Sequence, residues 1–233
     1  LGNITCRVGT HPYPTEVNVN ATKELLALLK DGEEDDLVIF VVSGGGSSLL
    51  CYPSDMTCET ETRITQTLTK QGADIVELNT VRKHISKVKG GYLAQLSYPA
   101  TVLSMIISDV PGNNLDIISS GPTVMDKTTV DDASAILKKY NILELCQMPS
   151  CSLIETPKDN KYFEKVYNIL IASPLDLVHA MQVKAEELGW KVLIYDQAFT
   201  GDAQVTTRDI LAKAQAKTCF IGAGETTVKV IGN

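Results

Sequence analysis

Short, unbroken runs of β-branched and aliphatic residues alternate with stretches of helical periodicity, and this alternation constrains the chain more than any other feature. Residues 37–42 (LVIFVV) are uniformly apolar and bounded by polar segments, as expected of a central strand buried on both faces. Residues 101–108 (TVLSMIIS) predict a second buried strand, and 166–172, 191–195 and 218–221 predict three more. Between them lie helical patterns. The segment 20–30 carries Leu25, Leu26, Leu28 and Leu29 on one side with Asn20 as a candidate cap. Further helices are expected over 60–71, 74–88 (ended by Gly90 and Gly91), 130–140, 174–188 and 202–216. Repeated β-α-β units imply an α/β, Rossmann-like architecture, a largely parallel sheet with flanking helices.

The polar, proline-containing stretch 147–161 interrupts the alternation. It divides the expectation into a Rossmann-like α/β domain over 1–147, a linker over 148–162 and a second, incomplete α/β domain over 163–233. The opening residues, LGNITCR, lack both an initiator methionine and the features of a signal peptide. The chain stops just after a strand-like run at 228–231, so it reads as an excerpt of something longer. Its longest apolar run, six residues, is far too short to cross a bilayer. The net charge of −7 argues against nucleic acid and acidic lipid as partners. Cys6, Cys51, Cys58, Cys146, Cys151 and Cys219 form no Cys-x-x-Cys pair, and His11, His84 and His179 lie far apart. Reduced thiols in a cytoplasmic protein are therefore expected rather than a zinc site.

In open α/β sheets ligands gather where strands end. The first strand runs into Ser43, Gly44, Gly45, Gly46, Ser47 and Ser48. Three glycines allow backbone N–H groups to turn toward an anion, and the serine hydroxyls are expected to donate as well. A tight turn without a ligand is the alternative. The next segment is locally basic: residues 78–108 contain no Asp or Glu, yet Arg82, Lys83, Lys87 and Lys89 fall within eight positions. On a helix, Ile75, Leu78, Val81, Ile85 and Val88 form an apolar stripe that contains Arg82. A buried arginine needs a partner. That partner is either a core carboxylate or an anionic ligand gripped by the guanidinium fork. Lys83 and Lys87 fall outside the stripe and are expected on a solvated face.

The second strand runs into Asp109, at a usual position for a magnesium ligand or a base, and equally for a turn-former ahead of Pro111 and Gly112. The segment 222–227 (GAGETT) superficially matches a dinucleotide fingerprint, but strand-like residues follow it where that motif must open a helix. Glu225 and its threonines are instead candidates for a metal or phosphate contact.

Five motifs, in order, resemble the glycerate kinases that make 2-phosphoglycerate: His11-Pro12-x-Pro14, SGGGSS at 43–48, NTVRKHISKVKGG at 79–91, SDVPGNNLDIISSGPT at 108–123 and GAGETTVKV at 222–230. The resemblance implies two α/β domains with the active site between them. It implies an ATP- and Mg2+-dependent transfer to the 2-hydroxyl of D-glycerate. Arg82, Lys89 and Asp109 would be catalytic. Residues 43–48, Asn79, Gly121 and Thr226 would bind phosphate or substrate, and Asp109 and Glu225 would hold the metal. The partners implied are ATP and D-glycerate, with a homodimer as the assembly to test. This chain departs from the family at Asn113 and Asn114, where it usually has two aspartates, at Ala223 before Gly224, and at Thr15. An amino-terminal glycine-lysine motif and a glycine- and arginine-rich stretch after the GETT region are expected to lie outside the chain. A non-catalytic module binding a small anion or nucleotide is the alternative function. A serine hydrolase on Ser47 or Ser48 is disfavoured, because no Gly-x-Ser-x-Gly elbow is present.

Overall fold

A computed structural model describes residues 4–110, 112–143, 152–196 and 199–228. The chain divides into two units. The first comprises 1–106 and 115–169, the second 107–114 and 170–233.

In the first unit, helix α1 (Glu16–Leu29) leads to strand β1 (Leu37–Val42), the short helix α2 (Gly46–Leu49), α3 (Cys58–Lys70), α4 (Ile75–His84), α5 (Tyr92–Ser97), strand β2 (Thr101–Ile107) and α6 (Val130–Lys139). Strand β3 (Val166–Ala172) completes a sheet of order β1-β2-β3, with β1 and β2 parallel in the register Leu37 to Thr101 through Val42 to Ile106. The α/β class, with parallel strands flanked by helices, is as expected. In the second unit, α7 (Pro174–Glu187), β4 (Lys191–Ile194), α8 (Ala203–Lys213) and β5 (Thr218–Ile221) form a unit in which β4 pairs in parallel with β5.

Local chemistry explains most boundaries. Asp74 caps α4 by accepting from the Glu77 N–H at 2.8 Å, and Glu77 returns a bond to the Asp74 N–H. Thr129 and Asp132 do the same for α6, and Ser173 with Asp176 for α7, where Pro174 occupies the first helical position. The core of the first unit is built by Ile64, Leu68, Val81, Ile85, Leu137 and Ile142, all fully buried.

Four expectations are corrected. Strand β1 is not buried on both faces. It lies at the end of the sheet; Val38 and Phe40 pack on Leu29, Val88 and Leu93, while Leu37, Ile39 and Val41 are exposed. Helix α1 begins at Glu16 rather than Asn20, because Thr15 occupies the cap. Helix α4 ends at His84, four residues early. Residues 85–87 leave the helix to pair with 52–54, through Ser54 N–H to Ile85 O at 2.9 Å and Lys87 N–H to Tyr52 O at 2.8 Å. The segment 152–162, expected as a linker, belongs to the first unit: Ile154 N–H donates to His84 O at 2.8 Å and Thr156 Oγ1 to Asp126 at 3.2 Å. Residues 147–151, with Pro149 and Cys151, lie outside the described residues, as do Cys146, Pro111 and, apart from Val228, the strand expected over 228–231.

Candidate functional site

The glycine loop leaves β1 and turns directly into α2. Gly45 has φ of +79°, a left-handed conformation that a side chain disfavours, and this allows the chain to reverse before Gly46. The N–H groups of residues 44–47 donate to no acceptor among the described residues, whereas those of Ser48 and Leu49 both return to Gly45 O. Four successive N–H groups without a partner, around a left-handed residue, are backbone of the kind that can take an anion.

The serines behave otherwise than expected. Ser48 Oγ donates to Pro12 O at 2.7 Å, and Ser119 Oγ donates to Ser43 O at 2.9 Å. Ser120 Oγ donates to Asn79 Oδ1 at 2.8 Å, so at 2.9 Å from Ser47 Oγ it can only accept, and Ser47 must be the donor. The hydroxyl hydrogens of these serines are thus spent inside the site. The donors left for an anion are main-chain N–H groups and the Ser43 hydroxyl, while Ser47 and Ser48 offer lone pairs only.

The partner of the loop is an unusual turn. Ser119, Ser120 and Gly121 have φ of +53°, +60° and +57°, three consecutive left-handed residues, two of them not glycine. Such backbone persists where its surroundings over-determine it. Here Gly90 N–H holds Ser120 O and Gly91 N–H holds Gly121 O, both at 2.9 Å. Below, Ser104 Oγ donates to Thr123 Oγ1 and Thr123 Oγ1 to Asn168 Oδ1. Gly46 is what lets the turn approach: a β-carbon there would stand 2.7 Å from Ser119 Cβ and closer still to its Oγ. Sequence reading singled out Gly121 and missed Ser119 and Ser120. Their signal was the two hydroxyls immediately before it.

Helix α4 carries Asn79 and, one turn on, Arg82 on the same face. Asn79 is buried and its Nδ2 group makes no protein hydrogen bond. The basic cluster is resolved by the tertiary fold. Lys83, expected on a solvated face, is 3% exposed and lies between Asp126 at 3.2 Å and Asp116 at 3.5 Å. Lys87, past the end of the helix, pairs with Asp55 at 3.3 Å. Lys89, expected to meet the anion, is fully buried and bound to Glu61 Oε1 at 2.8 Å, so its charge is already matched. Among the described residues, Arg82 alone of the four has no hydrogen bond or ion pair. Burial lowers its pKa from the ordinary value, and the field of Glu61 works the other way. A half-buried guanidinium without an acid of its own is a cation in need of an anion.

A cavity of about 480 Å³ opens beside the loop, lined by Ser43, Gly44, Gly46 and Ser119 and walled by Leu25 and Phe40 among other apolar groups. Arg82, Asn79 and Ser47 do not line it, so the cavity and the polar cluster share the loop without being one space.

The remaining candidates lie in the second unit. Asp109 is exposed and makes no hydrogen bond; the turn-forming role falls to Ser108, whose Oγ accepts from Val110 N–H at 3.2 Å. The Glu225 carboxylate is likewise exposed and unbonded, while its N–H donates to Phe199 O at 3.0 Å. Thr226 is half-buried beside it. The segment 222–227 pairs with 199–202 through bridges at Gly224 and Thr227 and opens no helix through Val228, which bears out rejection of the dinucleotide reading. Among the described residues no three His, Cys, Asp or Glu side chains group closely enough to hold a metal by themselves. Two free carboxylates suit Mg2+ only in company with ligand phosphates and water, as is usual for that ion. No helix among the described residues is long and apolar enough to cross a membrane.

Comparison with known proteins points the same way. The family profile described as "Domain of unknown function (DUF4147)" matches residues 1–151. The chain is 41% identical to a glycerate 2-kinase of Pyrococcus horikoshii, over 83% of its own length and 46% of that protein. It is 37% identical to an Agrobacterium vitis protein provisionally named a hydroxypyruvate reductase, over 98% of its length and 55% of that protein. The crystal structure of a glycerate kinase from Thermotoga maritima superposes with a TM-score of 0.85 at 34% identity, covering 100% of this chain and 58% of that one. The chain thus spans about half the length of the relatives it matches. It belongs to the DUF4147 family, the glycerate 2-kinase family to which its ordered motifs pointed.

Proposed function

We propose that this chain supplies the anion-binding half of an ATP-dependent glycerate kinase, which transfers the γ-phosphoryl group to the 2-hydroxyl of D-glycerate. The observation that carries the reading is the Ser47–Ser120–Asn79 hydrogen-bond chain, which ties a loop with four unpartnered N–H groups to α4, the helix that carries Arg82 one turn after Asn79. Phosphoryl transfer is largely positioning and charge neutralisation, and these groups supply both. The loop N–H groups hold phosphate or carboxylate oxygens, and Asn79 Nδ2 adds a neutral donor. Gly121, whose N–H donates to Ile118 O and whose carbonyl accepts from Gly91, shapes the turn beside the loop, and Thr226 offers a hydroxyl. Arg82 offsets charge on the moving group. Lys89, tied to Glu61, acts by holding the segment after α4 in place rather than by touching substrate.

Asp109 and Glu225 have the oxygen chemistry to hold Mg2+, which when bound neutralises charge on the nucleotide phosphates. A cytoplasmic location and a homodimer accompany this reading. A dehydrogenase is the weaker reading, since the glycine motif resembling a dinucleotide site opens no helix among the described residues.

The test is an ATP-dependent assay across D-glycerate, L-glycerate and hydroxypyruvate, on the longest native polypeptide carrying this sequence, with phosphate position read by NMR. Arg82→Ala is expected to lower turnover at least ~100-fold, within the range for a charge-stabilising arginine, with the thermal midpoint unchanged. Ligand-induced stabilisation without ADP release would instead identify a non-catalytic binding module.

A further inference from the structure

The glycine loop has a neighbour that the function above leaves without a task. The Cδ2–Nε2 edge of the His11 ring faces Gly45: a β-carbon at position 45 would stand 3.5 Å from both atoms. The imidazole is exposed, and neither ring nitrogen makes a hydrogen bond or ion pair among the described residues. Its position is nonetheless held from both sides. Pro12 O accepts from Ser48 Oγ at 2.7 Å. Thr10 N–H donates to Asn18 Oδ1, and Asn18 Nδ2 donates to Thr10 O, each at 3.0 Å. Asn18 Nδ2 also reaches Ser48 O at 3.2 Å, and Asn18 itself is fully buried. The residues flanking His11 are therefore both tied to Ser48, the end of the loop, by a buried polar side chain and a hydroxyl. A buried, fully used asparagine is a costly way to secure an exposed loop unless the geometry of that loop matters.

We propose that His11 is the proton acceptor of the phosphoryl transfer, an inference that rests on the kinase reading above. The other groups around the loop are unsuited to the task. The Ser47 and Ser48 hydroxyls are committed, Glu61 is bound to Lys89, Arg82 is a permanent cation and Asn79 is an amide. Imidazole is the side chain most often used to take a proton from a reacting hydroxyl. As the substrate oxygen bonds to the γ-phosphorus, the bond from that phosphorus to the bridging oxygen breaks and ADP leaves with its electron pair. The hydroxyl proton passes to the Nε2 lone pair and from the imidazolium to water. Transfer from ATP to an alcohol releases one proton overall, so the step balances.

The experiment measures kcat and KM for glycerate in wild type, His11→Ala, His11→Gln and Arg82→Ala. His11→Ala and His11→Gln are both expected to lower kcat about 100-fold, within the usual contribution of a general base, while KM stays within about threefold. Added imidazole is expected to restore His11→Ala at least tenfold, on the order of a tenth of the general-base contribution, and to do nothing for Arg82→Ala. Because His11 is exposed, both variants should keep the wild-type thermal midpoint, and His11→Gln preserves the packing on Gly45 if alanine does not. Full activity in His11→Gln, an effect confined to KM, or absence of imidazole rescue would each overturn the assignment. An inactive wild type refutes the kinase reading itself; an active wild type with active His11 variants refutes this inference alone.

Discussion

Gly46→Ala offers the sharpest test of the loop geometry. The position has ordinary helical backbone, so alanine itself should be welcome in α2, worth up to ~1 kcal/mol in a helix interior. The obstacle is Ser119, whose Cβ would lie 2.7 Å from the new methyl group. Ser119 cannot easily give way, since its hydroxyl is bonded to Ser43 O and its backbone sits in the left-handed run clamped by Gly90 and Gly91. Overpacking of this kind costs roughly 1–3 kcal/mol, and it displaces Ser120 and hence Ser47. Ser119→Gly removes both crowded atoms and leaves Ser119 Cα at 3.8 Å, ordinary contact. That second change loses one hydrogen bond, about 1 kcal/mol, and relieves a left-handed non-glycine residue, about 1–2 kcal/mol. On its own it is therefore close to neutral. Urea unfolding of the four proteins in the cycle should give a coupling of about 1–3 kcal/mol, with the double variant near wild type. Phosphate affinity should fall in Gly46→Ala and return in the double variant. Additive effects would show that the turn and the loop are not in the contact described, and the site built on that contact would fail with it.

The buried pair Lys89–Glu61 should respond asymmetrically. Glu61→Gln or Lys89→Met alone is expected to destabilise by about 3–5 kcal/mol, whereas replacing both residues with methionine should leave stability near wild type or above it. Chemical denaturation checks this, and equal losses in the single and double variants would refute the pairing. Asp126 predicts an acid limb. Burial, its largest influence, raises its pKa, but the charge of Lys83 and the hydrogen bonds from Thr128 outweigh that and hold it below the ordinary carboxyl value in the folded state. A depressed carboxyl contributes stability above its unfolded pKa and loses it as pH falls through the folded value. The thermal midpoint should therefore drop on acidification below about pH 4. Asp126→Asn, less stable at neutral pH, should show a shallower drop; parallel curves would place the acid sensitivity on other carboxylates.

Much of the fold was legible because it is written locally. The β-branched runs at 37–42 and 166–172 became β1 and β3 without adjustment. Helix ends were legible wherever a capping residue competes only with its own neighbours, as at Asp74. They were missed where a distant segment intervened. The pairing of 85–87 with 52–54 shortened α4, and no periodicity within α4 signals it. The four-residue helix α2 and the six-residue α5 fall below the length at which periodicity can be read. The exposure of Leu37, Ile39 and Val41 likewise depends on which face of β1 other elements cover, which a strand's own composition does not record.

By itself the sequence determined that four cations gather within eight residues, that a triple glycine follows a strand, and that a buried-side arginine would need an acid or an anion. Only the tertiary structure decided which of the four cations meet an acid. Glu61, Asp55 and Asp126 reach Lys89, Lys87 and Lys83 from 28, 32 and 43 residues away and leave Arg82 without a carboxylate. The same holds for the hydroxyls of Ser47 and Ser48, whose hydrogens are consumed by acceptors brought from elsewhere in the chain. Periodicity is a short-range property and the chain carries it in order. Charge pairing and hydrogen-bond direction are settled between residues that meet only once the backbone has folded.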